Sequence, residues 1–156
     1  NNYGNLIQRI SSFIVKNSNS KVTKPNKFNY EDATLIKSFE KNFNNYIYFM
    51  EKFQIDKALK SIFDFLSDIN TYVDNQAPWS LKKLDINRMN EVLYTACILI
   101  IKCSILLYPI IPSSVDKVLD IFNLSTNDLE LLLITKYEPS EISLNVPSHI
   151  FPRIEK

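Results

Sequence analysis

Asn70-Thr71-Tyr72-Val73-Asp74-Asn75-Gln76-Ala77-Pro78-Trp79 is the stretch on which the fold turns, the end of an amphipathic helix running into the only tryptophan of the chain. Upstream of it, Ile55, Leu59, Ile62, Phe63, Leu66, Ile69, Tyr72 and Val73 recur at steps of three and four residues. That spacing lines one helical face with apolar side chains. Lys57, Lys60, Asp64, Ser67, Asp68 and Thr71 fall on the opposite face, and Asp56 is the expected N-cap. Pro78 has no amide hydrogen and biases Ala77 away from helical geometry, so the helix ends there. Trp79 is therefore expected on a stiff corner, outside any regular element. It either covers the end of a helical core or offers a flat platform to a ligand. Position alone does not choose.

With 156 residues the chain suits one domain, 1–156, with a full core. It has a single glycine and seven prolines, the latter at element boundaries, and long stretches of 3.6-residue period. This combination argues for an all-α bundle. The net charge of +1 does not by itself point to nucleic acid. Its distribution says more. Residues 1–30 hold Arg9, Lys16, Lys21, Lys24 and Lys27 and no acidic residue, so one end is locally basic.

Cys97 and Cys103 share a strongly apolar helix, and His149 is the only histidine. No ligand cluster of metal-binding spacing is present, so no metal site is expected. Buried free thiols in a reducing, cytoplasmic compartment are the simplest account. No signal peptide is visible, and the chain opens on Asn1 inside an apparent helix. An excised piece of a longer protein is expected.

Taken in order, a first helix spans 1–16, with Tyr3, Leu6, Ile7, Ile10, Phe13 and Ile14 on one side. Asn1, Asn5, Arg9, Ser12 and Lys16 lie within about 80° of one another on the other side. This stripe carries donors and no carboxylate. It is either a solvated face or a surface kept for hydrogen bonding, since Asn is a poor interior helix residue. Residues 17–30 read as a loop. A second helix starts at Glu31 or Asp32 and reaches Phe53, and the helix leading to Trp79 follows a turn near 54–56.

A fourth helix runs from Ile86 or Asn87 to Tyr108, closed by Pro109 and Pro112. Residues 92–111 are almost wholly apolar, but Lys102 interrupts them and the neighbouring helices are amphipathic. A central bundle helix, not a membrane span, is expected. A fifth helix begins at Ser113 or Ser114 and ends near Phe122 or Asn123. Residues 128–135 carry no decisive pattern. The tail with Pro139, Pro147 and Pro152 is expected to return as an irregular strap or short strand. Five helices and a C-terminal strap are thus expected.

No catalytic constellation emerges. There is no Ser-His-Asp set, one glycine cannot build a phosphate loop, and Asp64 and Asp68 sit on a polar face.

Two stretches together carry a family resemblance. Asn1-x-x-x-Asn5-x-x-x-Arg9 resembles the opening helix of the anticodon-binding domain of methionyl-tRNA synthetases. Asn70-x-Tyr72-Val73-Asp74-x-x-Ala77-Pro78-Trp79-x-Leu81 resembles the second signature of that family. Leu106-Leu107-Tyr108-Pro109-Ile110-Ile111-Pro112 and Ile150-Phe151-Pro152-Arg153-Ile154-Glu155 are similar to its bacterial members. The resemblance covers nearly the whole chain and is weakest over 17–34.

It implies the anticodon-binding helical bundle of a class I aminoacyl-tRNA synthetase, reading the CAU anticodon of tRNA(Met) and chiefly cytosine 34. Trp79 would stack on that base, Asn5 and Arg9 would bond its edge or backbone, and Asn1 and Pro78 would shape the pocket. The implied partners are the anticodon stem-loop and the catalytic domain of the same chain, with no DNA and no membrane. Methionine and ATP would bind in that other domain, leaving no catalytic site or cofactor in 1–156. Lys16, Lys21, Lys24 and Lys27 are expected either to meet RNA phosphates or to be a solvated loop. Two other readings remain: a helical scaffold for protein partners, which requires Trp79 buried and far from the Asn1/Asn5/Arg9 stripe, and the matching domain of a sister class I synthetase.

Overall fold

The near-continuous apolar run that follows Met89 cannot face water on any side, and the rest of the chain is wrapped around it. In the computed structural model, which describes residues 2–128, 131–148 and 150, this run forms the central helix, Ile86–Leu107. It is α5 in chain order. Asp85 caps its start by accepting the Arg88 amide at 2.9 Å. Five other α-helices supply the walls: α1 (Asn2–Asn17), α2 (Tyr30–Glu51), α3 (Ile55–Gln76), α4 (Pro78–Leu84) and α6 (Pro112–Ile121). α5 is long and apolar enough to cross a membrane, but most of that stretch is buried by its neighbours.

Each wall helix buries one stripe. From α1 come Tyr3, Leu6, Ile7, Ile10 and Ile14, and from α3 come Ile62, Phe65, Leu66, Ile69 and Val73. Fully burying one such side chain is worth about 1.5–3 kcal/mol. α2 and α3 form an antiparallel hairpin, and Asn29 caps α2 by accepting the Asp32 amide at 3.0 Å. Lys102 is buried mid-helix in α5, where its ammonium donates to the Thr135 carbonyl at 3.1 Å and lies 5.5 Å from the Phe39 ring centre. That places a cation inside the bundle without breaking it.

The all-α class and the helical bundle expected from sequence are borne out, with four departures. Among the described residues there are six α-helices, because the corner after Pro78 is itself a short helix, α4, with Trp79 in its first turn. The tryptophan is thus inside a regular element. Residues 17–30 are not all loop: α1 continues to Asn17 and a strand β1 spans Lys21–Thr23. Its partner is β2 (Glu141–Ser143), antiparallel, with Val22 opposite Ile142. Each strand is three residues long, so neither carries a readable alternation, and the pairing is made only when the tail returns. Asp56 is not the N-cap. Gln54 holds that position without a side-chain bond, and Asp56 stands in the first turn, where a carboxylate suits the helix dipole. Finally, Ile55 and Phe63 are exposed, although they belong to the apolar pattern of α3.

The returning tail closes the far side of α5 through 3-10 turns at Thr126–Asp128 and Leu131–Lys136. Tyr94 donates its hydroxyl to the Pro139 carbonyl at 2.6 Å and helps fix it there. Asn1, His149 and the segment 151–155 of the C-terminal motif lie outside the described residues.

Candidate nucleic-acid interface

The polar stripe of α1 lies beside the C-terminal turns of α3. Leu6 and Ile10 point into the core, which leaves Asn5 and Arg9 facing out, one helical turn apart. On α3 the burial of Ile69, Tyr72 and Val73 similarly turns Asn70 and Asp74 toward α1. The two helices meet through these side chains. Arg9 donates from Nη1 to Asp74 Oδ1 at 2.8 Å and from Nη2 to Asn70 Oδ1 at 3.0 Å. Asn70 Nδ2 donates to Asp74 Oδ2 at 3.2 Å, which closes a triangle of three side chains.

Trp79 reaches this triangle from a third element. α3 ends at Ala77, whose φ of 47° and ψ of 64° are left-handed, and Pro78 then takes the first position of α4. Proline is well placed there, since that amide has no helical partner. Pro78 is buried and seats the corner, and Trp79 is thrown outward with 43% of its surface open. The guanidinium carbon of Arg9 lies 5.7 Å from the centre of the indole, within cation–π range. Trp79 is therefore an exposed ring beside the polar stripe of α1, and the burial required by a protein scaffold is absent.

A cleft of about 140 Å³ opens beside Arg9, lined by Asn2, Asn5, Leu6, Arg9 and Asn70. A cavity of roughly 150 Å³ is enough for a benzene-sized ring. Its lining is mostly amide and guanidinium, groups that offer donors and acceptors to the edge of a base.

Of the residues singled out from sequence, Asn5 and Arg9 share this cleft, Trp79 adjoins it through Arg9, and Pro78 lies beneath the corner. Asn1 lies outside the described residues. Asn70 and Asp74 are the functional residues that sequence reasoning does not single out, although both stand in 70–79 at i and i+4, the spacing that puts two side chains on one helical face.

The lysines behave differently. Lys21 pairs with Glu141 at 3.4 Å and Lys24 with Glu138 at 2.7 Å, so the acid-free N-terminal stretch is partly neutralised by the tail that folds onto it. Residues 23–27 border a second, wider cleft of about 570 Å³ with Asn87, Asn90 and Glu91 on its other wall. Asn90 fixes that loop by accepting the Thr23 amide at 3.0 Å and donating to the Thr23 carbonyl at 2.8 Å.

Behind the corner sits a buried ionic knot. Asp32, fully buried, is held by Arg88 and by the Tyr72 hydroxyl. Burial first, and then the adjoining Asp32, push the Tyr72 phenol above its ordinary range. Burial also holds the thiols of Cys97 and Cys103 protonated, both free and both enclosed. Among the described residues no group of three or more His, Cys, Asp or Glu could hold a metal ion.

The chain is similar to known proteins along nearly its whole length. The chain is 38% identical over 162 residues to a methionine–tRNA ligase of Rickettsia felis, an alignment covering 99% of the chain and 31% of that protein. It is 30% identical over 154 residues to the methionine–tRNA ligase of Brucella suis, covering 98% and 30%. The chain thus spans about a third of the length of the curated relatives it matches. The apo methionyl-tRNA synthetase of Mycobacterium tuberculosis superposes with a TM-score of 0.92 at 28% identity, covering the whole chain and 32% of that structure. A family model described as the anticodon binding domain of methionyl tRNA ligase matches residues 22–156. The chain belongs to the anticodon-binding domain family of the methionyl-tRNA ligases.

Proposed function

We propose that this chain reads the CAU anticodon of tRNA(Met), chiefly cytosine 34, for a parent enzyme that attaches methionine to tRNA at the expense of ATP. The observation that carries the reading is the convergence of Asn70 and Asp74 from α3 and Trp79 from α4 on Arg9 of α1, which lines a cleft with Asn2, Asn5 and Asn70.

Sequence-specific RNA readers take unstacked loop bases, stack them on aromatic rings and bond their edges. Stacking on Trp79 accepts any base and contributes about 1–3 kcal/mol. Selection falls to the amides and the guanidinium. Cytosine offers an amino donor at N4 and acceptors at N3 and O2, whereas uracil reverses the pattern at N3 and position 4. Asn5 supplies both a donor and an acceptor, and Arg9 supplies donors alone, a set that matches cytosine. Asp74 and Asn70 hold the guanidinium before any base arrives, which reduces the ordering cost of binding by about 0.5–1.5 kcal/mol. Asn1 and Pro78 complete the assignment as pocket-shaping residues. Lys16, Lys21, Lys24 and Lys27 are assigned to the phosphate backbone, with Lys21 and Lys24 first giving up their carboxylate partners.

The remaining parts of the reaction are assigned outside this chain. Its single glycine, Gly4, lies within α1, so its own residues offer no glycine-rich phosphate cradle for ATP. The catalytic domain of the same parent chain is the second partner, and the cytoplasm, where tRNA is charged, is the compartment.

The test is binding of the chain to RNA hairpins that differ only in the loop, CAU against UAU. Tighter binding of CAU, lost in Asn5→Ala, is the expected result. Equal affinity for the two loops in the unsubstituted chain overturns the reading.

A further inference from the structure

The last residue of α3, Gln76, is tied to the start of α5. Arg88 donates from Nη2 to Gln76 Oε1 at 2.7 Å. The same guanidinium grips Asp32 of α2 with both terminal nitrogens, at 2.6 and 2.8 Å, and reaches Glu91 at 3.1 Å. Asp32 in turn accepts the Tyr72 hydroxyl at 2.5 Å. Three helices are pinned at one buried point. Removing Arg88 leaves Asp32 a buried charge without its ion-pair partner, and removing Asp32 strips Arg88 of its two-pronged contact, so both belong to the fold.

Gln76 is different. It is half-buried, it stands at the edge of the knot, and it lies three residues before Trp79 in the chain. The next residue, Ala77, carries a left-handed backbone without being glycine. Such a conformation persists only where its surroundings hold it. Three restraints converge on it: the Ala77 amide donating to the Val73 carbonyl at 2.9 Å, the burial of Pro78, and the Arg88–Gln76 bond.

We infer that Gln76, anchored by Arg88, is a positioning residue that sets the direction in which α4 leaves the corner and so the pitch of the Trp79 indole against Arg9. This inference rests on the base-reading function proposed above, and its consequence is that selectivity at the cleft depends on a side chain that touches no base. Gln76 acts only through the corner, whereas Trp79, Arg9 and Asn5 act on the base itself.

The experiment compares Gln76→Ala and Gln76→Glu in this chain, reading the ratio of affinities for CAU and UAU hairpins, the fluorescence anisotropy of Trp79 and the unfolding midpoint. Trp79 is the only tryptophan, so its emission reports the corner directly. Glutamate keeps the acceptor facing Arg88, and its added charge cancels in the affinity ratio. For Gln76→Ala the ratio is expected to fall by roughly five-fold, as the loss of one charged hydrogen bond allows. Trp79 anisotropy should fall with it, and the midpoint should move by no more than about 6 °C. Gln76→Glu should retain both wild-type values. Wild-type ratio and anisotropy in Gln76→Ala overturn the inference, as does collapse of its unfolding transition, which makes Gln76 a part of the core. If the unsubstituted chain does not distinguish the two loops, the base-reading function fails. Trp79 anisotropy alone then decides the positioning role: lowered in Gln76→Ala and restored in Gln76→Glu sustains it, and unchanged refutes it.

Discussion

The guanidinium of Arg9 stands 5.7 Å from the ring centre of Trp79, joining the first helix of the chain to the short helix that follows Pro78. Neither side chain is committed to the core, since Arg9 and Trp79 are both exposed. An exposed cation held over an exposed indole stabilises the fold by only about 0.5–1 kcal/mol. The arrangement makes more sense as a surface set out for a third group. Replacing Trp79 by Ala should therefore leave the unfolding midpoint nearly unchanged while weakening the CAU hairpin about 5- to 150-fold, the worth of one stacked base. Equilibrium binding beside a thermal melt separates the two effects.

Arg9→Lys keeps the charge and loses the planar fork that Asp74 and Asn70 hold. The dependence of log affinity on log salt should keep its slope, because the number of cations is the same. Affinity for the CAU loop should drop by about tenfold at every salt concentration, the loss of one good polar contact. Titrations at several ionic strengths check this, and unchanged affinity and selectivity in Arg9→Lys would make Arg9 a plain phosphate contact, which lysine serves equally well.

Asp74→Ala tests preorganisation. The Arg9–Asp74 pair is exposed on both sides, so its contribution to folding is at most about 1 kcal/mol. Without Asp74, Arg9 keeps only Asn70, and Asn70 loses its own acceptor. The preference for CAU over UAU should narrow while the melt stays within about 2–4 °C of wild type.

Much of this was legible in the chain because helical periodicity is a local property. The apolar rows of α1, α3 and α5 and the stop at Pro78 follow from residues within a few turns of one another. What went unread depends on partners remote in sequence. Val22 becomes a strand residue only because Ile142 returns to it, and Lys21 and Lys24 lose their freedom to Glu141 and Glu138 of the same returning tail. The short α4 is hidden for a different reason: Pro78 reads as a terminator, whereas after a left-handed Ala77 it also starts a helix. At the cleft, Asn5, Arg9 and Trp79 were read from the resemblance. Asn70 and Asp74 needed the packing of α1 against α3 to reveal whose partner each is.

Alkaline pH should unfold the chain, with the sign fixed by burial. Enclosure raises the Cys97 and Cys103 thiols from an ordinary 9.0 and the phenols of Tyr3, Tyr46, Tyr72, Tyr94 and Tyr137 from 10.0. A group raised in the folded state contributes stability that is whole below its unfolded value and lost above it, because only the unfolded chain then sheds the proton. Lys102 runs the other way. Burial lowers it below 10.5, so the unfolded chain holds that proton longer and stability gains as pH rises toward 10.5. Seven groups oppose one. Urea midpoints should be level near neutrality and fall above pH 9, and replacing both cysteines with Ala should delay the onset toward pH 10.

Ala77 gives the sharpest backbone test. With φ at 47° and ψ at 64°, it pays roughly 1–2 kcal/mol that a glycine would not. Ala77→Gly removes that strain but gives the unfolded chain about 0.4–1 kcal/mol of extra freedom, so stability should rise by at most about 1.6 kcal/mol. Ala77→Val puts a β-branched side chain into the same left-handed geometry and should destabilise by about 1–3 kcal/mol. Urea unfolding followed by Trp79 emission reads both variants at the corner itself. If valine is as stable as glycine there, the turn is not held in the left-handed region, and the direction in which α4 carries Trp79 toward Arg9 is set elsewhere.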